Sequence, residues 1–176
     1  MTPPSQDTNA GIDQMLQDQP GVVLENVART FNVSLADVVS RLPASEKVSA
    51  PGNQFVSVME EVSGWGKLTV IVNTPEMVLE AKGPVARGSM GRGYYNIPGA
   101  IGGHFKPKGF HSISFIDRTL MGKPSRSILF FNAHGSCIFK MYLGRQENRE
   151  MIPEQVEKFD QLVASIAAEM RVMKTV

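Results

Sequence analysis

Cysteine occurs once in the 176 residues, at Cys137, and a lone thiol has no partner for an internal disulfide. Nothing in the sequence therefore points to an oxidising compartment. Histidine is also scarce: His104, His111 and His134 are spaced unlike zinc ligands, and no CxxC or HExxH motif joins them, which removes the common metal-site patterns. The segment FHSISF offers a serine without a GxSxG elbow, so serine-hydrolase chemistry has no support. No apolar run reaches the roughly 18 residues that a membrane helix needs. The opening MTPPSQDTNAGIDQ lacks the basic stretch and apolar core of a secretory signal, and a cytoplasmic protein is expected. Internal repeats and low-complexity tracts are missing too, which sets solenoids aside.

What is present is the composition of a folded chain, 42% hydrophobic and 20% charged. One domain spanning 1–176 is the default at this length, with a helical part over 1–50 and a sheet-rich part with a closing helix over 51–176. The net charge of +1 hides an uneven distribution. Residues 1–50 carry Arg29, Arg41 and Lys47 against six carboxylates, whereas residues 82–126 carry eight cationic side chains against Asp117 alone. An anionic ligand would be drawn to the second region.

Apolar spacing predicts a helix containing Val22, Val27, Ala28 and Phe31, a break at Asn32, and a second helix opened by Ser34 and carrying Leu35, Val38, Val39 and Leu42. Asn53 is expected to cap a third helix with Phe55, Val58, Met59 and Val62 on one face. The period then changes to two. KLTVIV, MVLEAKG, FHSISFID, RSILFFN and SCIFKMYLG read as antiparallel strands joined through NTPE, MGKPS and NAHG, and Pro153 starts a final helix. Helices, a meander and a closing helix make an α+β protein with a large antiparallel sheet.

The first two helices have the pattern of a DNA-binding helix-turn-helix. The second would present Ala36, Asp37, Ser40 and Arg41 from an acidic segment, so nucleic-acid contact is not expected and a packing role is. GPVARGSMGRGYYNIPGAIGG holds seven of the sixteen glycines and reads either as a surface loop or as the rim of a ligand pocket. Its GSMGRG lacks a preceding βαβ unit and is no phosphate loop.

His104 stands out from the other histidines. It follows Gly102 and Gly103, lies downstream of Tyr94 and Tyr95, and precedes Phe105, Lys106 and Lys108. An axial donor, aromatic walls, close backbone approach and cations suit a flat, apolar, dianionic ligand with a metal at its centre, which is the chemistry of haem. Arg87, Arg92, Lys106 and Lys108 would supply the field for the propionates. His111, opening a strand, and His134, in a turn, are expected to be structural.

The stretch GRGYYNIPGAIGGHFKPKGFHSISFIDRTLMGKPSRSILFFNAHGSCIFKMYLGR resembles the intracellular haem-utilisation carriers of the HutX/ChuX type. Members show a G-Y/F-Y/F-N segment, a GGH or SGH segment, a D/E-R-x-x-M-G turn, an S-I-L-F-F-N strand and a K-x-x-L-G-R strand end. The likeness extends to VARTFNVSLADVVSRLP, WGKLTVIVNTPEMVLE and EQVEKFDQLVASI. It implies a fold similar to half of the longer HemS-type haem proteins and pairing of two chains into a homodimer. It implies haem as ligand, with His104 matching a haem-linked histidine of some members. Asn73 stands where some members have a second histidine, and Tyr94 and Tyr95 fall in the aromatic pair, so the axial set stays open between His104 and a tyrosine. The function implied is a carrier that stores imported haem or passes it to a haem-degrading enzyme. The alternatives are a haem-degrading enzyme, for which no flavin or nicotinamide motif is present, and a haem-responsive DNA-binding regulator.

Overall fold

Alternating apolar and polar side chains along the middle of the chain build two antiparallel sheets. In the computed structural model, which describes residues 3–174, the elements in chain order are α1 (Gln6–Asp18), α2 (Leu24–Phe31), α3 (Leu35–Ser40), β1 (Lys47–Pro51), α4 (Phe55–Val62), β2 (Lys67–Asn73), β3 (Val78–Pro84), β4 (Ser89–Gly91), β5 (Tyr94–Ile97), β6 (Gly103–Phe105), β7 (Ser112–Leu120), β8 (Lys123–Phe131), β9 (Cys137–Tyr142) and α5 (Pro153–Lys174). A six-stranded sheet runs β1-β7-β8-β9-β2-β3 and a three-stranded sheet runs β4-β5-β6, with all neighbours antiparallel. The α+β class and the large antiparallel sheet expected from the sequence are both present.

Each face of the large sheet has its own cover. Because side chains alternate along a strand, Leu68, Val70 and Val72 of β2 join Ile113, Phe115, Ile128, Phe130, Phe139 and Met141 on one face, under α4, α5 and the small sheet. Phe55 is the hub of that core, stacked on Phe110 at 3.9 Å and meeting Tyr95 edge-on at 5.9 Å. Ile116, Leu129 and Phe131 point the other way and pack against Ile12, Val27, Leu35, Val38 and Val39 of the N-terminal helices. Fully burying an aliphatic or aromatic side chain of this kind is worth about 1.5–3 kcal/mol.

The helices begin and end where local chemistry allows. Asn32 takes a left-handed conformation, φ 52°, that stops α2. Ser34 then opens α3 with a reciprocal capping box: its hydroxyl accepts from the Asp37 N–H at 3.1 Å, and the Asp37 carboxylate accepts from the Ser34 N–H at 2.9 Å. The helix-turn-helix pattern is thus real, and its buried side chains Val38 and Val39 face the sheet. Asn53 does not cap α4; it lies inside a 3-10 turn, Gly52–Gln54, that leads into the helix. Five elements escaped the sequence reading: α1, β1 and the three short strands β4, β5 and β6. Helix α1 is too polar to show a clear apolar face, burying Ile12 alone. Strand β1 straddles the expected boundary at residue 50 and pairs with β7.

One ion pair and one hydrogen bond tie the N-terminal helical part to the sheet. Lys140 of β9 pairs with Glu25 of α2, their side chains 8% and 19% exposed. Arg118 of β7 donates to the Pro20 carbonyl at 2.7 Å and lies 3.3 Å from the Glu46 carboxylate.

Candidate functional site

The glycine-rich stretch is neither loop nor plain rim: it folds into the small sheet. Arg92 and Gly93, at φ 53° and 81°, form the two-residue turn between β4 and β5. Alternation then sorts the aromatic pair. Tyr95 and Ile97 face the core, and Tyr94 and Asn96 face outward. Gly88 lets Tyr95 fit, since a Cβ there would sit 2.6 Å from the tyrosine ring, and the Gly88 N–H donates to the Tyr95 hydroxyl at 3.0 Å.

His104 lies opposite Asn96 in the register of β5 and β6, exposed on the outward face. Its Nδ1 lies 2.6 Å from Asn96 Oδ1. The Tyr94 ring meets it edge-on, with centroids 6.3 Å apart, and the Lys106 ammonium stands 5.6 Å from the Tyr94 ring centre. His104, Tyr94 and Lys106 therefore form one cluster of imidazole, phenol and ammonium on an open face. Phe105 points behind them into the core, 5.8 Å from Phe55 and 5.5 Å from Phe139.

The remaining expected residues scatter. Tyr95 is 1% exposed and its hydroxyl is engaged with Gly88, so its phenol belongs to the core and not to the outward face. Arg87 reaches α4 and pairs with Glu60 at 3.2 Å. Arg92 sits at the hairpin tip and Lys108 in the 3-10 turn Pro107–Gly109, both exposed. Asn73 ends β2 on the face of the large sheet that the small sheet does not touch. His111 precedes β7 with its backbone N–H bonded to the Phe131 carbonyl, and His134 lies in the β8–β9 turn, where the Asn132 side chain accepts from its N–H at 2.9 Å.

A second feature went unread in the sequence. Beyond the edge of the N-terminal helices, β9, β2 and β3 present an open cleft of about 530 Å³ lined by Ile71, Asn73, Val78, Lys140 and Tyr142, among others. Its signal was available: Thr69, Ile71 and Asn73 alternate with the core residues of β2, but nothing in the local pattern says that no helix covers them. Burial pushes the Cys137 thiol up to about 12, which keeps that sulfur protonated at neutral pH. Among the described residues no group of histidine, cysteine and carboxylate side chains is gathered as a metal site, and no helix is long and apolar enough to cross a membrane.

Known proteins resemble this chain in sequence and in fold. The profile of the haem-utilisation ChuX/HutX family matches residues 48–162. The chain is 35% identical over 151 residues to the intracellular haem transport protein HutX of Vibrio cholerae, covering 84% of this chain and 78% of that one. The crystal structure of the haem-binding protein ChuX superposes with a TM-score of 0.82 at 36% identity, over 89% of this chain and 99% of ChuX. ChuS, an Escherichia coli haem oxygenase, shares the fold with a TM-score of 0.73 at 12% identity, and the match takes up 48% of its length. The matched profile covers both sheets and the first ten of the 22 residues of α5, and the identity to HutX runs over most of the chain: this protein belongs to the ChuX/HutX haem-utilisation family.

Proposed function

We propose that this protein is a cytoplasmic haem carrier, which takes up haem and holds it or hands it to a haem-degrading enzyme without itself reacting with the macrocycle. The convergence of His104, Tyr94 and Lys106 on one open face carries the assignment. An exposed imidazole supplies an iron donor, a half-buried phenol a second donor or a hydrogen bond, and an ammonium a counter-charge for a propionate. The family supports the cargo: HutX is an intracellular haem transport protein and ChuX a haem-binding protein. Arg92 and Lys108 extend the cationic field around the small sheet, whereas Arg87 is already matched by Glu60.

The working unit is a homodimer in which each chain, residues 1–176, acts as one domain. Helices α1–α3 and the large sheet share the core residues Ile116, Leu129 and Phe131, which argues against separable parts. The edge strand β3 opens on Val78 and Leu79, preceded by Met77, each more than half exposed, and an apolar sheet edge of this kind calls for a cover. Matching 48% of ChuS, the chain has the size of one half of a larger protein of the same fold.

Titration with ferric hemin tests the cargo: a Soret band saturating at a fixed hemin-to-chain ratio is expected, and an increase that never saturates counts against a site. His104→Ala is expected to change the Soret and visible bands. Identical bands in that variant, with altered bands in Tyr94→Phe, would hand the iron to the phenol. Sedimentation should show a species of twice 19.3 kDa at micromolar concentration, and a 19.3 kDa species alone would remove the dimer.

A further inference from the structure

We infer that Asn96 is a positioning residue, which holds the neutral His104 ring with its proton on Nδ1 and so leaves the Nε2 lone pair free to meet iron. This rests on the proposed role of His104 as iron donor.

The hydrogen-bond bookkeeping around Asn96 leaves one solution. Its Nδ2 lies 3.1 Å from the Tyr94 carbonyl oxygen, 3.2 Å from that of Gly91 and 3.3 Å from that of Ser89. Carbonyl oxygens only accept, so the corner of the carboxamide that faces them has to be the NH2 group. Turning the amide over would set its oxygen against three others. Oδ1 is thereby committed to the opposite side, where it meets His104 Nδ1 at 2.6 Å. An amide oxygen carries no proton, so Nδ1–H is the donor of that bond. In the neutral imidazole the remaining lone pair then sits on Nε2.

Free imidazole side chains in water favour the other tautomer, with the proton on Nε2, so the Asn96 contact reverses the default. Register makes this possible: Asn96 and His104 are directly opposed across β5 and β6, a separation a carboxamide can span. Gly91 keeps the space open, since a Cβ there would come within 3.3 Å of Asn96 Nδ2. Metal-binding histidines are oriented in the same way, by an acceptor on the nitrogen that does not bind, and losing that acceptor costs about 10- to 100-fold in metal affinity.

Long-range nitrogen NMR of the histidine rings in the intact, haem-free protein, above the histidine titration range, reads the tautomer directly. His104 is expected with Nδ1 protonated and Nε2 bare. A proton on Nε2 of His104 in the wild-type protein overturns the inference, whatever His104 does to haem, and needs no variant to fold. In hemin titrations Asn96→Ala is expected to bind about 10- to 100-fold more weakly with altered axial-ligand bands. A folded Asn96→Ala with wild-type affinity and bands also overturns it. If the tautomer is as stated but His104→Ala leaves the hemin spectrum unchanged, the iron role of His104 fails and the positioning role falls with it.

Discussion

Asn73 and His104 stand on opposite sides of the six-stranded sheet. Asn73 lies on the β2 face that carries Thr69 and Ile71 and lines the open cleft, while the small sheet that bears His104 packs on the face of Leu68, Val70 and Val72. One chain therefore cannot bring both side chains to the two faces of one porphyrin. Asn73→Ala is expected to leave the Soret and visible bands of the ferric hemin complex unchanged. Altered bands would show that a second chain carries this cleft to the iron.

The two neighbouring tyrosines are expected to separate cleanly by experiment. Tyr95→Phe removes the acceptor of the Gly88 N–H in a packed setting, at a cost of about 1–3 kcal/mol, so the urea midpoint should fall while the hemin bands stay put. Tyr94→Phe touches an outward side chain, and its stability should stay within about 0.5 kcal/mol of wild type. Any change in the haem spectrum belongs to this second variant. The reverse result would place the buried phenol on the iron.

The Lys140–Glu25 pair gives a test of what buried charge does for the fold. Glu25→Ala strands an ammonium that is 8% exposed, and a loss of about 3–5 kcal/mol is expected in denaturant unfolding. The double variant Glu25→Leu with Lys140→Met should recover most of that loss. Burial alone would draw the Lys140 pKa down, but Tyr142 and Glu25 outweigh it and the net shift is upward. A raised pKa means a contribution that is complete below the unfolded lysine value of about 10.4 and fades as pH climbs through the folded value. The difference between wild type and double variant should therefore be flat across neutral pH and shrink in alkali.

Acid should act on Asp13. The Arg41 hydrogen bond, aided by its charge, outweighs burial and holds the Asp13 carboxyl below the usual range. A depressed pKa gives stability that is present above the unfolded aspartate value of about 3.9 and is lost as pH falls through the folded value. Arg41→Gln should accordingly lower the urea midpoint at neutral pH and converge on wild type in strong acid. A gap between the two that persists there would assign the effect to packing of α1 instead of to charge.

Elements with a strong period were legible in the chain. KLTVIV, RSILFFN and SCIFKMYLG became β2, β8 and β9, and Ser34 caps α3 as its type and position require. Helix α1 was not legible because a surface helix that buries Ile12 alone needs few apolar positions. The small sheet was hidden for a different reason. Strands of three and four residues interrupted by glycine are too short to establish a period of two, and their pairing is a matter of contact between distant backbone groups.

By itself the sequence determined the class of the fold, the break after α2 at Asn32, the start of α3 at Ser34 and the presence of a histidine set between glycines and lysines, because these depend on local propensity, spacing and composition. It also placed Tyr94 and Tyr95 side by side without distinguishing them. Only the tertiary structure decided that one phenol is buried against Phe55 while the other faces His104, since the inward side of β5 is set by what the small sheet packs upon. It also decided that Asn96 reaches His104 and that Asn73 does not share its side of the sheet. Those relations arise from strand pairing across the chain, and no short stretch of residues encodes which face a neighbouring element will cover.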